Sequence, residues 1–214
     1  MKILIICDDI AHHGEIVAQG LDFLSAEDGH DVTVAMDMAE YCFEATPLSG
    51  YDVVIVAKSI PMSKHNETSW LTESIEQQFV DYADNGGGLI FLHAGAVLCK
   101  NSPPIKAISG CAFIQHPAQC SVDYCITAIH PIVDGVTDFT EQDEHYFIEF
   151  RAHDATIFLK SRSNHGIQPA GYTRIHNGKG RVCVLTPGHN LSVFRNAQYK
   201  KILSNSVRWC AGQL

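Results

Sequence analysis

The chain has 214 residues, enough for one domain with a full core, and an ordinary globular composition of 46% hydrophobic and 18% charged residues. Its formal net charge of −9 argues against nucleic-acid partners and against anionic membrane surfaces. No segment approaches the roughly 20 apolar residues that span a bilayer. Asp8 and Asp9 follow the first apolar run too closely for a signal peptide, so a cytoplasmic protein is expected.

The continuous apolar run Lys2–Cys7 predicts a strand buried on both faces. Gly14–Asp28 has helical spacing through Ile16, Val17, Gly20, Leu21 and Leu24. Asp31–Met36 and Tyr51–Ala57 read as a second and third strand. Asn66–Ala83 reads as a helix with Trp70, Leu71, Ile75, Phe79 and Tyr82 on one stripe, ended by Gly86-Gly87-Gly88. Leu89–Leu92 is then a short buried strand. Strands alternating with helices predict an α/β fold on a parallel sheet with right-handed crossovers. The second half is less regular. Ser121–Ala128, Thr156–Ser161, Ile167–Arg174 and Arg181–Thr186 read as strands, the last two joined as a hairpin through Gly178-Lys179-Gly180. Ala197–Ala211 is a closing amphipathic helix with Tyr199, Ile202, Leu203 and Trp209 inward. With no repeat, low-complexity stretch or linker, one domain over 1–214 is expected.

None of the eight cysteines forms a Cys-x-x-Cys pair, so they read as reduced core residues and not as a zinc or redox motif. The twelve histidines are a high count for this length, and position decides among them. Ligands in open parallel sheets sit beyond the carboxyl ends of the strands. Those ends carry Asp8, Asp9, His12 and His13 after the first strand, His93 after the fourth, and His189-Asn190 after the last. Asp143-Glu144-His145-Tyr146 offers a carboxylate beside histidines, although Asp138, Glu141, Asp143 and Glu144 together also read as solvated surface. His116-Pro117 and His130-Pro131 read as turn residues before proline.

In order along the chain, the segment 86–95 ending in Phe91-Leu92-His93-Ala94-Gly95, then His116-Pro117, His130-Pro131-Ile132 with Gly135-Val136, Asp143-Glu144-His145-Tyr146, and Gly178-Lys179-Gly180 running to Gly188-His189-Asn190 resemble the trehalose-utilisation (ThuA-like) family. The resemblance implies a class I glutamine-amidotransferase-like fold: a flavodoxin-like three-layer sandwich with a mostly parallel central sheet. It places His93 where amidotransferases carry a nucleophilic cysteine, and His189 at their catalytic histidine. Cys99 lies six residues beyond that elbow, so thiolate attack on glutamine is not expected. His145 stands where family members often carry an apolar residue, which leaves Glu144 and His145 both open as the pocket residue.

Two chemistries remain open. In one, His93, His189 and Glu144, with His13 and His116 as further candidate ligands, hold a divalent metal such as zinc, iron, nickel or manganese. In the other, His93, Glu144 and His189 act as a metal-free acid/base set. Asp9, Tyr146 and Asn190 are candidate substrate contacts, and no nucleotide cofactor is expected. The family resemblance implies a small-molecule partner, a disaccharide-derived sugar such as a 3-keto sugar. A hydrolase using Cys7 or Cys99, and a non-catalytic sugar-binding or assembly module, are the alternatives. An assembly of identical subunits is expected by base rate only.

Overall fold

The computed structural model describes residues 1–214. Strand β1 (Lys2–Cys7) has five buried residues of six, as a strand covered on both faces requires. The stretch expected as one helix over Gly14–Asp28 is two: α1 (Gly14–Gly20) and α2 (Phe23–Ala26). The break falls at Gly20, where a Cβ would lie 2.4 Å from the Phe194 ring, so the chain presses close and turns. β2 (Asp31–Ala35) follows, then β3 (Val53–Ala57) after a connection that ends in a short 3-10 helix at Leu48–Gly50.

The helix expected over Asn66–Ala83 is corrected. Its first part is an antiparallel hairpin, β4 (Pro61–Ser63) with β5 (Asn66–Ser69), and α3 (Glu73–Asp84) begins only afterwards. Trp70 explains the delay: its Nε1 donates to the Ser59 carbonyl at 2.7 Å, which pins the chain in a non-helical path. Thr72 then caps α3 by accepting from the Ile75 amide.

β6 (Gly88–Leu92), α4 (Gly95–Asn101), α5 (Pro103–Ser109), β7 (Cys111–Gln115), β8 (Cys120–Ile126), β9 (Phe139–Asp143) and β10 (Phe147–Phe150) come next. β11 (Thr156–Ser163), β12 (Gly166–His176), β13 (Gly180–Leu185), α6 (Leu191–Arg195) and α7 (Ala197–Cys210) complete the chain.

Nine strands form one sheet in the order β2-β1-β3-β6-β13-β12-β11-β8-β9. The expectation of a mostly parallel sheet is corrected to a mixed one. Pairings from β2 through β13 are parallel, and those from β13 through β9 are antiparallel. The reversal starts at the β12–β13 hairpin, where Asn177 and Gly178 adopt left-handed φ values of 48° and 74°, matching the twist of a tight hairpin. Once the chain arrives by hairpins, with no crossover helix, each added strand runs antiparallel to its neighbour.

The side chains of β1 alternate between two cores. Ile3, Ile5 and Cys7 pack with α1, α6 and α7, whereas Leu4 and Ile6 pack on the side of α3, α4 and α5. This double cover makes an α/β layered fold. No helix is long and apolar enough to cross a membrane.

Candidate metal centre

The loop after β1 is bound down by its own acids. Asp8, at a left-handed φ of 76°, accepts from the Gly14 amide (2.9 Å) and the Lys64 amide (3.1 Å). Asp9 takes the His12 amide and His12 Nδ1 on one oxygen, both at 2.9 Å. Its other oxygen takes the Ser59 amide and hydroxyl at the end of β3. Burial raises the proton affinity of Asp9, but its hydrogen bonds to His12 and Ser59 outweigh this and hold the carboxyl well below the usual range. Lys58, fully buried, turns its ammonium toward the carbonyls of Cys7, Asp8 and Met36 and ties the loop to the strand ends.

His93 follows β6 directly, at a left-handed φ of 45°. That conformation costs a non-glycine residue about 1–2 kcal/mol. It is maintained by the His93 amide, which donates to the Leu185 carbonyl at 2.8 Å, and by Nδ1 on the Thr186 carbonyl at 2.8 Å. The chain can enter α4 two residues later because position 95 is glycine: a Cβ there would lie 2.2 Å from the Val56 carbonyl oxygen.

Asp143, at the end of β9 and fully buried, gathers the remaining pieces. Its carboxylate accepts from the amides of Gly188 and His189 (3.0 Å each), the Glu144 amide (2.9 Å) and the Tyr124 hydroxyl (2.8 Å). Glu144 and His189, 45 residues apart in sequence, thus hang from one anchor.

These supports bring four side chains together. One ligand atom from each of His12, His93, Glu144 and His189 lies within 4.8 Å of the others. Glu144 Oε2 stands 3.3 Å from His93 Nε2 and 3.2 Å from His189 Nδ1. A carbonyl only accepts, so the bond to Thr186 places the proton of a neutral His93 on Nδ1 and leaves the Nε2 lone pair facing the cluster. Asp9 fixes His12 in the same way. The His93 lone pair therefore faces a carboxylate oxygen, acceptor against acceptor, whereas that of His12 takes the Tyr146 hydroxyl at 3.1 Å. His93 Nε2, Glu144 Oε2 and His189 Nδ1 are buried without a hydrogen-bond partner. Such a set calls for a cation at its centre, either a proton or a metal ion. Neutral imidazoles with one carboxylate fit a divalent metal of the zinc, iron, nickel or manganese type.

The electrostatics agree. Burial raises Glu144, but its contacts with His189 and His93 outweigh this and hold it well below the ordinary carboxylate range. Glu144 in turn raises His189, against an opposing effect of burial. Burial lowers His12.

A family model described as ThuA, trehalose utilisation, matches residues 2–210. The chain belongs to the ThuA family. Solved structures of two ThuA-like proteins share its fold. The one from Parabacteroides merdae is 16% identical, with 99% of this chain and 90% of that chain covered and a TM-score of 0.80. The one from Bacteroides uniformis is 23% identical, with 98% and 91% covered and a TM-score of 0.75. A beta-galactosidase from Rahnella sp. R3 is similar over 96% of this chain but only 31% of its own, at 15% identity and a TM-score of 0.67. No curated protein matches the sequence.

Within this ThuA chain the expected site residues separate. His93, His189 and Glu144 converge, and Glu144 is the residue that faces the cluster. His145 instead turns its Nδ1 to Ser163 Oγ at 2.7 Å. His13 is corrected: it is exposed at the head of α1, outside the cluster, and His12 takes the inward place because Asp9 captures its ring. His116 lies at the rim, Nε2 3.6 Å from Glu144 Oε2 and the side chain 35% exposed. Pairing of Phe147 with Gln115 brings it beside Tyr146. Tyr146 is buried, stacks on His93 at 4.1 Å, and its hydroxyl meets His12 Nε2 at 3.1 Å. Asp9 lies buried behind His12, where it orients the ring. Asn190 spends its amide on Gln119 and the Gln142 carbonyl. Cys7 and Cys99 are buried. Burial pushes the Cys7 thiol up to about 12 and raises that of Cys99, so neither offers a thiolate. Asp143, read from sequence as surface, is the anchor that the residue pattern does not reveal.

A cavity of about 780 Å³ lies at the amino ends of β6 and β13 beside Tyr82 and Arg181, and no histidine lines it. Its size does not make it the reactive site, since the unpartnered donor atoms converge elsewhere.

Asp9→Asn tests the support of His12. The amide can present an N–H to His12 Nδ1 and reverse the tautomer, so metal affinity is expected to fall about 10–100-fold with the fold retained. Competition against a chromogenic chelator reads this directly. Unchanged affinity would remove Asp9 from the site.

Proposed function

We propose that this chain is a cytoplasmic, divalent-metal enzyme of the trehalose-utilisation type, acting on a disaccharide-derived sugar that carries a ketone. The observation that carries the reading is the set of buried side-chain atoms without a hydrogen-bond partner on His93, His189 and Glu144, with a ring nitrogen of His12 beside them. These four residues would hold the metal, which when bound supplies a Lewis acid for a carbonyl or hydroxyl oxygen of the sugar. His116 would act as the base. Its Nδ1 is held by the Pro117 carbonyl at 2.8 Å, so the neutral ring keeps its lone pair on Nε2, at the exposed edge of the cluster. That nitrogen would take the proton next to a ketone, the step shared by enolisation, isomerisation and elimination. Tyr146, its phenol raised by burial, stays protonated; its hydroxyl meets His12 Nε2 and would have to give up that nitrogen for His12 to join the metal.

The family description, trehalose utilisation, supports a sugar substrate, and so does the shared fold with a segment of a beta-galactosidase. That second likeness also supports another reading. The fold occurs there as under a third of a larger enzyme, as a non-catalytic assembly module would.

Elemental analysis of protein purified without chelator, with turnover of a panel of 3-keto disaccharides, separates these readings. Near-stoichiometric metal and consumption of at least one keto sugar, both lost in His93→Ala, are expected. Full turnover by metal-free protein would overturn the metal and leave a His189–Glu144 acid/base pair. Absence of turnover across the panel would overturn the sugar enzyme and favour the assembly module.

A further inference from the structure

We infer that a second pocket, remote from the imidazole cluster, binds a small phosphorylated anion. It has a volume of about 570 Å³, within the range of small-molecule sites and larger than one phosphate needs. Four of its seven lining residues are Lys100, Lys106, Arg151 and Arg174, and none is acidic. The chain has only 15 lysines and arginines and a net charge of −9, so this concentration runs against the character of the molecule.

The folding of the segment after His93 explains the concentration. α4 starts beside His93 and ends with Lys100 in its last turn, and α5 follows with Lys106, half-buried, in its last turn. Arg151 comes directly after β10. Arg174 lies on β12 opposite Val182, near the start of β13, whose far end leads to His189. The pocket thus sits at the end of the sheet away from the cluster.

Two carboxylates reach the rim. Glu149 pairs with Lys106 at 2.6 Å and also with Arg151, and Asp154 pairs with Arg174 at 3.2 Å. Lys100 makes no ion pair, and two positive charges remain uncompensated. Glu149 and Asp154 are 36% and 52% exposed, and such solvated pairs rearrange at little cost. Arg174 is the fixed member: its Nη1 donates to the carbonyls of Ala107 (2.7 Å) and Ile108 (3.1 Å) at the end of α5.

The surplus matches a phosphomonoester, which carries about 1.5–2 negative charges and three strong acceptor oxygens for ammonium and guanidinium donors. A long polyanion would meet the acidic remainder of the surface, so the fitting ligand is small.

Isothermal titration with inorganic phosphate and, separately, glucose 6-phosphate tests the site at low ionic strength. Saturable binding at one site is expected, weakened at least tenfold, about 1.4 kcal/mol, in Lys100→Glu and in the double variant with Lys106→Glu. Salt should weaken it too. His93→Ala should bind as the unaltered protein does, because the imidazole cluster is not involved. Tighter binding of the ester assigns an organic phosphate, and tighter binding of inorganic phosphate assigns the free anion. No saturation by either probe up to about 10 mM, a weak affinity by any measure, would overturn the inference. So would equal binding in Lys100→Glu, or loss of binding in His93→Ala, which would move the anion to the imidazole cluster.

Discussion

His93→Ala is expected to lose bound metal and to lower kcat/KM by about 10³-fold or more, since a metal's charge stabilisation is worth several kcal/mol. Three things disappear with the ring: the Nε2 donor 3.3 Å from Glu144, the Nδ1 bond to the Thr186 carbonyl, and the stack on Tyr146. Glu144 and His189 remain, still held by Asp143, but without the third converging nitrogen. A second variant separates chemistry from folding. Position 93 has a left-handed φ of 45°, so His93→Gly is expected to be about 1 kcal/mol more stable than His93→Ala while equally inactive. Urea denaturation of the pair measures the difference. Equal stability would show that the turn is not strained, and retained metal in either variant would show that His93 is not a ligand.

Gly95→Ala is expected to damage the fold and the site together. The added Cβ would lie 2.2 Å from the Val56 carbonyl oxygen, and a backbone atom cannot swing aside as a side-chain tip can. α4 has to lift off β3, at a cost of about 3 kcal/mol or more. In a chain of this length that corresponds to a drop in Tm of roughly 6–12 °C. His93 lies two residues upstream on the same turn, so activity should fall by more than the loss of folded protein accounts for. Gly50→Ala is the control: nothing lies within 4 Å of a Cβ there, and its stability should change by less than about 1 kcal/mol. A Gly95→Ala protein as stable as the control would mean that the close approach of α4 to β3 is not needed.

Much of the frame was legible because its signals are local. Apolar runs marked β1, β3 and β6, and the strand ends after β1, β6 and β13 do carry the imidazoles. Helix 66–83 misread because Leu71, Ile75, Phe79 and Tyr82 keep helical spacing, yet Trp70 just before them is spent on the Ser59 carbonyl, a contact no periodicity records. The sheet misread because alternation of strands and helices holds only as far as β6. Later strands return by hairpins and by loops, and their direction depends on which edge they join.

The neighbours His12 and His13 mark the limit most closely. The sequence by itself determined that imidazoles and acids follow β1, that His93 and His189 follow two other strands, and that no cysteine stands at the turn after β6. It could not choose between His12 and His13, because the choice is made by Asp9, which is held in turn by Ser59, fifty residues away. Nor could it separate Asp143 from ordinary surface acids. An acid's character follows from its burial and from the donors around it, and those of Asp143 come from Tyr124, Glu144, Gly188 and His189. Only the packing of β8, β9 and the loop after β13 places them at one carboxylate, and that packing made a histidine-rich rim into four converging donors.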